Sequence, residues 1–410
     1  MSLLRKDNYN IGRINIIFIL FFLIVSADTV MFGTNIYTFY LSIRKVFTVL
    51  LIPLTILACY SDHERKKDNR VMTIGFIMSA LVLFSATIHS EIGPQTLMRV
   101  SLVISGFIYV SMTPLRKFMI AYEKACYFLV IIALIVYAIA FFAPQLLSLS
   151  LNLENVNNYS YNNFILAVVS EKHLRLQGPF REPGVCGLFF SYALLFYFQY
   201  IAKLDYKRVT LYVTAIVLTS STTSLLMLPF IFLFYFMSKK GTESSKSTYI
   251  LIILFSIAAV GLFLYTDLFA SDGVLLSKLS DENNLSRLSR LSSVFTSLEI
   301  IRGNPIFGVG VEGASQQFTL MNMQQYGETI VDNTNLYLSY AVVYGVPYAL
   351  YATLGIYYFC KYQSSRLFVR LLFIIPAMLL FFGETLFENL FVFIIIAYGF
   401  KLKKYGYYIS

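Results

Sequence analysis

The sequence predicts an all-α polytopic membrane protein: one integral membrane domain over residues 1–410, about twelve spans and two long extracytoplasmic loops. Three observations carry this expectation. Hydrophobic residues make up 58% of the chain and charged residues 13%, against roughly 25% charge in a soluble domain; the mean hydropathy is +0.69. Apolar runs approaching the ~20 residues that cross a bilayer recur along the whole length. Lys and Arg gather in alternate connections, as the positive-inside tendency requires.

Taken in order, the apolar runs are 14–32, 46–60, 71–88, 98–112, 125–143, 185–202, 209–219, 222–237, 248–266, 336–359, 367–382 and 389–400. The first is long enough to span and lacks a small-residue cleavage site, so it is expected to stay in place as a span. The interval 209–237 is too long for one upright helix and short for two. It is split at the polar run Thr219-Ser-Ser-Thr-Thr-Ser224, because merging it would throw Lys239, Lys240 and Lys246 to the outer side. With the split, both termini lie inside and 22 of the 32 Lys and Arg residues fall on inner segments.

Ten basic residues remain. Arg44, Lys45 and Arg99 sit near span ends, Arg44 and Lys45 either on an interfacial turn or snorkelling. The other seven are Lys172, Arg175, Arg181, Lys278, Arg287, Arg290 and Arg302, in the two polar stretches 145–184 and 267–335. Both stretches are placed outside. Cations there run against the usual charge rule and point to an anion on that side. The net charge of +10 is therefore mostly topology. No basic patch interleaved with aromatics marks a soluble face, which excludes nucleic acid as a partner. Trp is absent, so the 31 Tyr and 38 Phe must supply the interfacial belts. Cys59, Cys126, Cys186 and Cys360 lie in or beside apolar segments and read as small core residues.

The first outer loop carries an Asn-rich stretch, Asn152 to Asn163, with Tyr159 and Tyr161 inside it. Amides bond hydroxyls and rings stack on pyranose faces, so it suits sugar; an ordinary polar loop has the same composition. The loop closes on Arg175-Leu-Gln-Gly-Pro-Phe-Arg-Glu-Pro-Gly184. Gly178-Pro179 predicts a turn, and Pro183 suits the first turn of the next helix with Glu182 at its mouth. Glu182 is either a carboxylate complementing that helix end or a reactive group.

The second loop holds an amphipathic pattern, Leu285, Leu288, Leu291, Val294, Leu298 and Ile301, stopped by Gly303-Asn-Pro305. Such a helix lies in the interface or covers a cavity. Arg287 and Arg290 share a face and either bind substrate or reach lipid headgroups; Arg302 binds substrate or complements the helix C-terminus. Gly308-Val-Gly-Val-Glu-Gly313 matches a dinucleotide fingerprint by letter but lacks the strand and βαβ context. Its glycines either aim amides at an anion or make a tight turn. Asp332-Asn-Thr-Asn-Leu-Tyr337 then leads into the tenth span.

His63, His89 and His173 have no metal-ligand spacing, and no Asp-x-Asp pair or Walker lysine loop is present. Neither a metal nor another cofactor is expected. Asp28, Glu384 and Glu388 lie towards outer span ends, which argues against a proton-relay transporter.

Three short motifs resemble the O-antigen polymerase (Wzy) and O-antigen ligase superfamily: Arg175-x-x-Gly178-x-Phe180-x-Glu182-Pro183 entering a span, Asn304-Pro-Ile-Phe-Gly-Val-Gly310, and Asn335-Leu-Tyr-Leu followed by Gly345. An Arg-x10-Gly spacing of such polymerases also runs from Arg302 to Gly313. Two places depart from the pattern. The Ser-Arg-Gly-like element between the short spans reads Ser220-Ser-Thr-Thr-Ser224, and Thr334 stands where ligases carry a histidine. The second departure favours polymerase.

The resemblance implies a GT-C-like fold in the bacterial inner membrane and glycosyl transfer at the periplasmic face. Its donor would be glycan on undecaprenyl pyrophosphate, and its acceptor a lipid-linked repeat unit. A chain-length regulator protein is an implied partner beside the membrane lipid. Arg175, Arg181, Arg287, Arg290, Arg302, Asn335 and Tyr337 would bind pyrophosphate and glycan, and the acceptor hydroxyl would need a carboxylate base, Glu182 first, then Asp332 and Glu312. A ligase, a lipid-linked oligosaccharide flippase and a non-catalytic scaffold are the alternatives.

Overall fold

Every expected span that falls within the described residues contains an α-helix. The computed structural model describes residues 12–26, 28–33, 38–60, 68–154, 160–164, 166–170, 174–201, 204–238, 285–326, 335–382 and 386–405. The expected span 248–266, together with Lys172, Lys278, Asp332, Thr334 and Glu384, lies outside them, as do the side chains of Arg287 and Arg290. The helices are α1 (Arg13–Ile24), α2 (Val30–Gly33), α3 (Thr38–Tyr60), α4 (Asn69–Ile88), α5 (Pro94–Met112), α6 (Leu115–Phe142), α7 (Pro183–Tyr200), α8 (Tyr206–Leu218) and α9 (Thr222–Ser238). After them come α10 (Leu285–Gly303), α11 (Gly310–Tyr326), α12 (Leu336–Tyr344), α13 (Val346–Lys361), α14 (Leu367–Leu380) and α15 (Leu390–Tyr405). Among the described residues, four helical stretches are long and apolar enough to cross a membrane: Ile43–Tyr60, Asn69–Ile88, Pro94–Met112 and Leu115–Phe142; α1, α9 and α14 are shorter apolar helices. This agrees with a mostly helical polytopic membrane protein.

Local chemistry sets many boundaries. Asp68 caps α4, accepting from Arg70 N at 3.1 Å, and Asp205 caps α8 through Lys207 N and Arg208 N. The polar run after Leu218 does turn, giving α8 and α9 as a helical hairpin. Two expected spans are broken. Within 14–32 the helix stops at Ile24, because Thr29 Oγ1 bonds the carbonyls of Ile24 and Ser26 and Asp28 N bonds Ser26 Oγ. Within 336–359 the chain breaks at Gly345 (φ 89°), whose missing Cβ makes room for the Ile306 carbonyl. Arg44 and Lys45, expected on an interfacial turn or snorkelling, lie within the N-terminal half of helix α3.

α7 is buried on all sides from Val185 to Phe198, and α15 is buried from Leu390 to Tyr398. A helix apolar all round belongs at the centre of a bundle. Around these two, Tyr122, Phe196, Tyr192 and Phe391 form a ring cluster, with Tyr122 and Phe391 stacked at 4.8 Å. Phe76, Leu83 and Phe84 on α4, and Val49 and Leu57 on α3, point outward, as lipid-facing positions do.

α13 and α15 cross closest at Gly355 and Gly399, where a Cβ on Gly399 would strike the Gly355 carbonyl. Gly399→Ala is expected to force the two backbones apart, costing about 1–3 kcal/mol. A detergent melting curve identical to wild type would show that the crossing has slack.

The bundle has two chemically distinct ends. At one, Lys404 pairs with Asp68 (3.4 Å) and Lys401 donates to the carbonyls of Val110 and Thr113. At the opposite ends of α3, α5 and α15 lie Arg44, Arg99, Glu388 and Asn389.

The connection between α6 and α7 departs from the all-α expectation. It holds a short 3-10 turn, Pro144–Leu149, and a three-stranded antiparallel sheet: β1 (Leu151–Glu154), β2 (Ser160–Asn163) and β3 (Val168–Ser170). One sheet face packs Leu153, Tyr161 and Val168 on Val30; the other sets Val169 against Val136 and Ala140 of α6.

The hairpin of α10 and α11 buries Ile300, Ala314 and Phe318 together with a row of small hydroxyl side chains. Ser292, Ser293, Thr296 and Ser297 are buried, Thr296 donating to Asn322 Oδ1 of α11 at 3.1 Å. Phe295, Leu298, Leu320 and Met323 face outward. Helix α10 ends at Gly303 as the Gly-Asn-Pro signal predicts.

Candidate functional site

The segment Leu174–Glu182 is the framework of the site, because its backbone is fixed from several sides. Val168 N bonds Gly178 O, Leu176 N bonds Leu218 O, Val30 N bonds Pro179 O, and Arg181 N bonds Asp28 O at 2.6 Å. Gly178 has φ 56°, the left-handed turn that Gly178-Pro179 predicts. Gln177 Nε2 adds a 2.9 Å bond to Arg181 O.

Held this way, the two arginines of the segment do different work. Arg175 donates from Nε to Thr219 O (2.9 Å) and from Nη2 to Ser220 O (2.7 Å). It fixes the α8–α9 turn to the loop, with Ser220 in a left-handed conformation at φ 50°. Arg181 is 40% exposed and sits 3.7 Å from the Glu182 carboxylate, itself 54% exposed. Glu182 occupies the N-cap position of α7 but makes no side-chain cap bond, and Pro183 follows it. Its carboxylate is thus not consumed by the helix end.

Behind Arg181 lies a polar layer. Buried Asp28 accepts from Ser26 Oγ (2.7 Å) and Asn389 Nδ2 (2.8 Å). Next to Asn389, Glu388 takes Arg44 Nη2 on one carboxylate oxygen and Arg99 Nε on the other, both at 2.7 Å. These three side chains are only 10–18% exposed. Burial acts to raise the Glu388 carboxyl, but the Arg99 and Arg44 guanidiniums outweigh it and hold the group below the usual carboxylate range. Sequence reading left Arg44 and Arg99 without a role. Their signal was that they were cations on the unexpected side, with Asp28 and Glu388 at matching span ends.

The remaining predicted residues lie elsewhere. Asn335 is buried and caps α12, its Oδ1 accepting from Tyr337 N (3.0 Å) and Leu338 N (3.3 Å). Tyr337 donates its hydroxyl to Met378 O at 3.1 Å. Arg302 stands exposed in the last turn of α10, and Glu312 stands exposed in the first turn of α11. The glycine motif before Glu312 makes tight turns at Gly308 (φ 66°) and Gly310 (φ 74°). It also aims amides at an anion, and that anion is the protein's own Glu91, bonded by Val311 N (2.8 Å) and Glu312 N (2.9 Å). A Cβ on Gly310 would fill the space Glu91 occupies. The motif therefore clamps the α4–α5 connection to the α10–α11 hairpin. Among the described residues, no group of three or more His, Cys, Asp or Glu could hold a metal ion.

A family model described as O-antigen ligase matches residues 209–353. The match runs from α8 into α13, covers the second and third motifs, and bears out the resemblance to the O-antigen polymerase and ligase superfamily. It supports glycan transfer of the ligase and polymerase type in general. No curated protein matches the chain.

Proposed function

We propose that the chain is a repeat-unit polymerase working at the outer face of a bacterial inner membrane, with both termini cytoplasmic. The observation that carries this reading is the Arg181–Glu182 pair, an exposed cation beside an uncapped carboxylate on a fixed backbone, at the end of the bundle away from Lys401 and Lys404. The sugar hydroxyl of the lipid-linked repeat attacks the anomeric carbon of the donor glycan. A new C–O glycosidic bond forms and the bond to pyrophosphate breaks, the lipid diphosphate leaving with the electron pair. Glu182 takes the hydroxyl proton. Arg181 meets the charge on the leaving oxygens, a role in which one preorganised donor is worth roughly 3–4 kcal/mol. Arg175 acts as a positioning residue through the α8–α9 turn. Arg302 offers further cationic contact from the α10–α11 hairpin.

Ligase is the second reading, favoured by the family whose model matches residues 209–353. One experiment separates the two: full chain in liposomes, undecaprenyl-pyrophosphate-linked repeats, lipid A core and EDTA. The expected product is a ladder of lipid-linked polymer. Glycan moved onto the core instead would make it a ligase, and untouched repeats would leave only a flippase or scaffold.

A further inference from the structure

A concavity lies beside Leu174–Glu182, and the charged side chains of that segment do not line it. It is an open cleft of about 600 Å³ between the three-stranded sheet, the end of α6 and the Pro144–Leu149 turn. That volume falls within the roughly 300–1,000 Å³ of small-ligand sites. Among the described residues its polar lining is Ser148, Ser150, Asn152, Asn162 and Ser170, with no charged side chain. The sheet register explains the pattern. Asn152 pairs with Asn162, and Asn162 with Val169, so the three stand in one row on the α6-facing side while Tyr161 packs on the other. Asn162 is buried and accepts Ser150 Oγ at 3.0 Å, which holds the middle of that row in place.

We propose that this cleft is a saccharide subsite for hydroxyl-rich sugar units. Three hydroxyls and two carboxamides supply donors and acceptors in a small area. Leu147 and Val169 supply apolar surface for the C–H faces of a pyranose. The cleft, with the hydroxyls and carboxamides of its described lining, suits the glycan part of a lipid-linked substrate. Its border residue Leu174 immediately precedes Arg175, which places it beside the segment that presents Arg181 and Glu182. The proposal rests on the polymerase reading for its role in holding the chain between transfers, but the binding is testable without it.

The test is saturation-transfer NMR on the full chain in nanodiscs. The probe is the oligosaccharide released by mild acid from the host's own surface polysaccharide. The wild type is expected to saturate the sugar protons. Asn152→Ala should weaken binding at least tenfold, and Ser148→Trp, at an exposed position where the indole fills the cleft, should remove it. Arg181→Ala should leave it unchanged. No saturation of the wild type, or equal saturation by Ser148→Trp, overturns the subsite; loss in Arg181→Ala alone does so too, by placing the sugar at the arginine. A liposome polymerisation assay runs in parallel. Polymer made without saturation sinks only the cleft, and saturation without polymer sinks only the polymerase reading.

Discussion

Glu182→Gln is expected to abolish long-chain polymer while the protein still inserts and melts as wild type. The side chain is more than half exposed and makes no cap bond, so removing its charge disturbs no described packing. Loss of a positioned base costs about 10²–10⁴ in rate. Arg181→Ala should fall about as far, by about 10²–10³, because the anchoring bond to Asp28 comes from its main-chain amide and survives the substitution. The readouts are the glycan ladder and in vitro transfer, with Glu328→Gln as the control carboxylate expected to behave as wild type. Ladders of equal length from Glu182→Gln and Glu328→Gln would reduce Glu182 to a neighbour of Arg181.

The largest expected loss of stability is at Glu388. Glu388→Gln leaves the Arg44 and Arg99 guanidiniums packed together without their counter-charge. Breaking a buried ion cluster by removing one partner costs about 3–5 kcal/mol, and the detergent melting temperature should drop accordingly. Replacing all three together, Arg44→Met, Arg99→Met and Glu388→Leu, should recover most of it, because an apolar trio no longer bears a desolvation cost. If the triple variant melts no higher than the single one, the loss comes from packing rather than charge. The pH dependence has a defined sign. The folded-state carboxyl of Glu388 lies below its usual range, so its contribution is complete above the ordinary glutamate pKa and fades only as pH falls through the depressed value.

What could be read from the sequence was local. The α8–α9 turn followed from Thr219 to Ser224 and the lysines after Ser238, and the end of α10 from Gly303-Asn-Pro305. The break at Gly345 was hidden because hydropathy runs unbroken across it; what forces it is a carbonyl from Ile306, thirty-nine positions earlier in the chain. The sheet was hidden because its strands are three or four residues long and its Asn-rich composition reads as loop. Half of the glycine motif was legible. The glycines predict either a tight turn or amides facing an anion, but Glu91 as that anion depends on tertiary contact. Glu388 meets Arg44 across 344 positions, a pairing that no spacing rule reaches. For the site, the Arg175–Pro183 motif located the loop, while the division of labour between Arg175 and Arg181 came only from where the α8–α9 carbonyls lie.

The inward hydroxyls and outward hydrocarbon of the α10–α11 hairpin bear on how this region can be handled in isolation. Cut from the chain as a recombinant fragment, residues 285–326 would present Phe295, Leu298, Leu320 and Met323 directly to buffer, and Ile300 and Phe318, which belong to the core cluster of the intact chain, would lose most of their partners. Immunisation or binder selection against that loop therefore calls for the intact protein in a bilayer mimic, because an excised peptide would clump before it displayed the native surface.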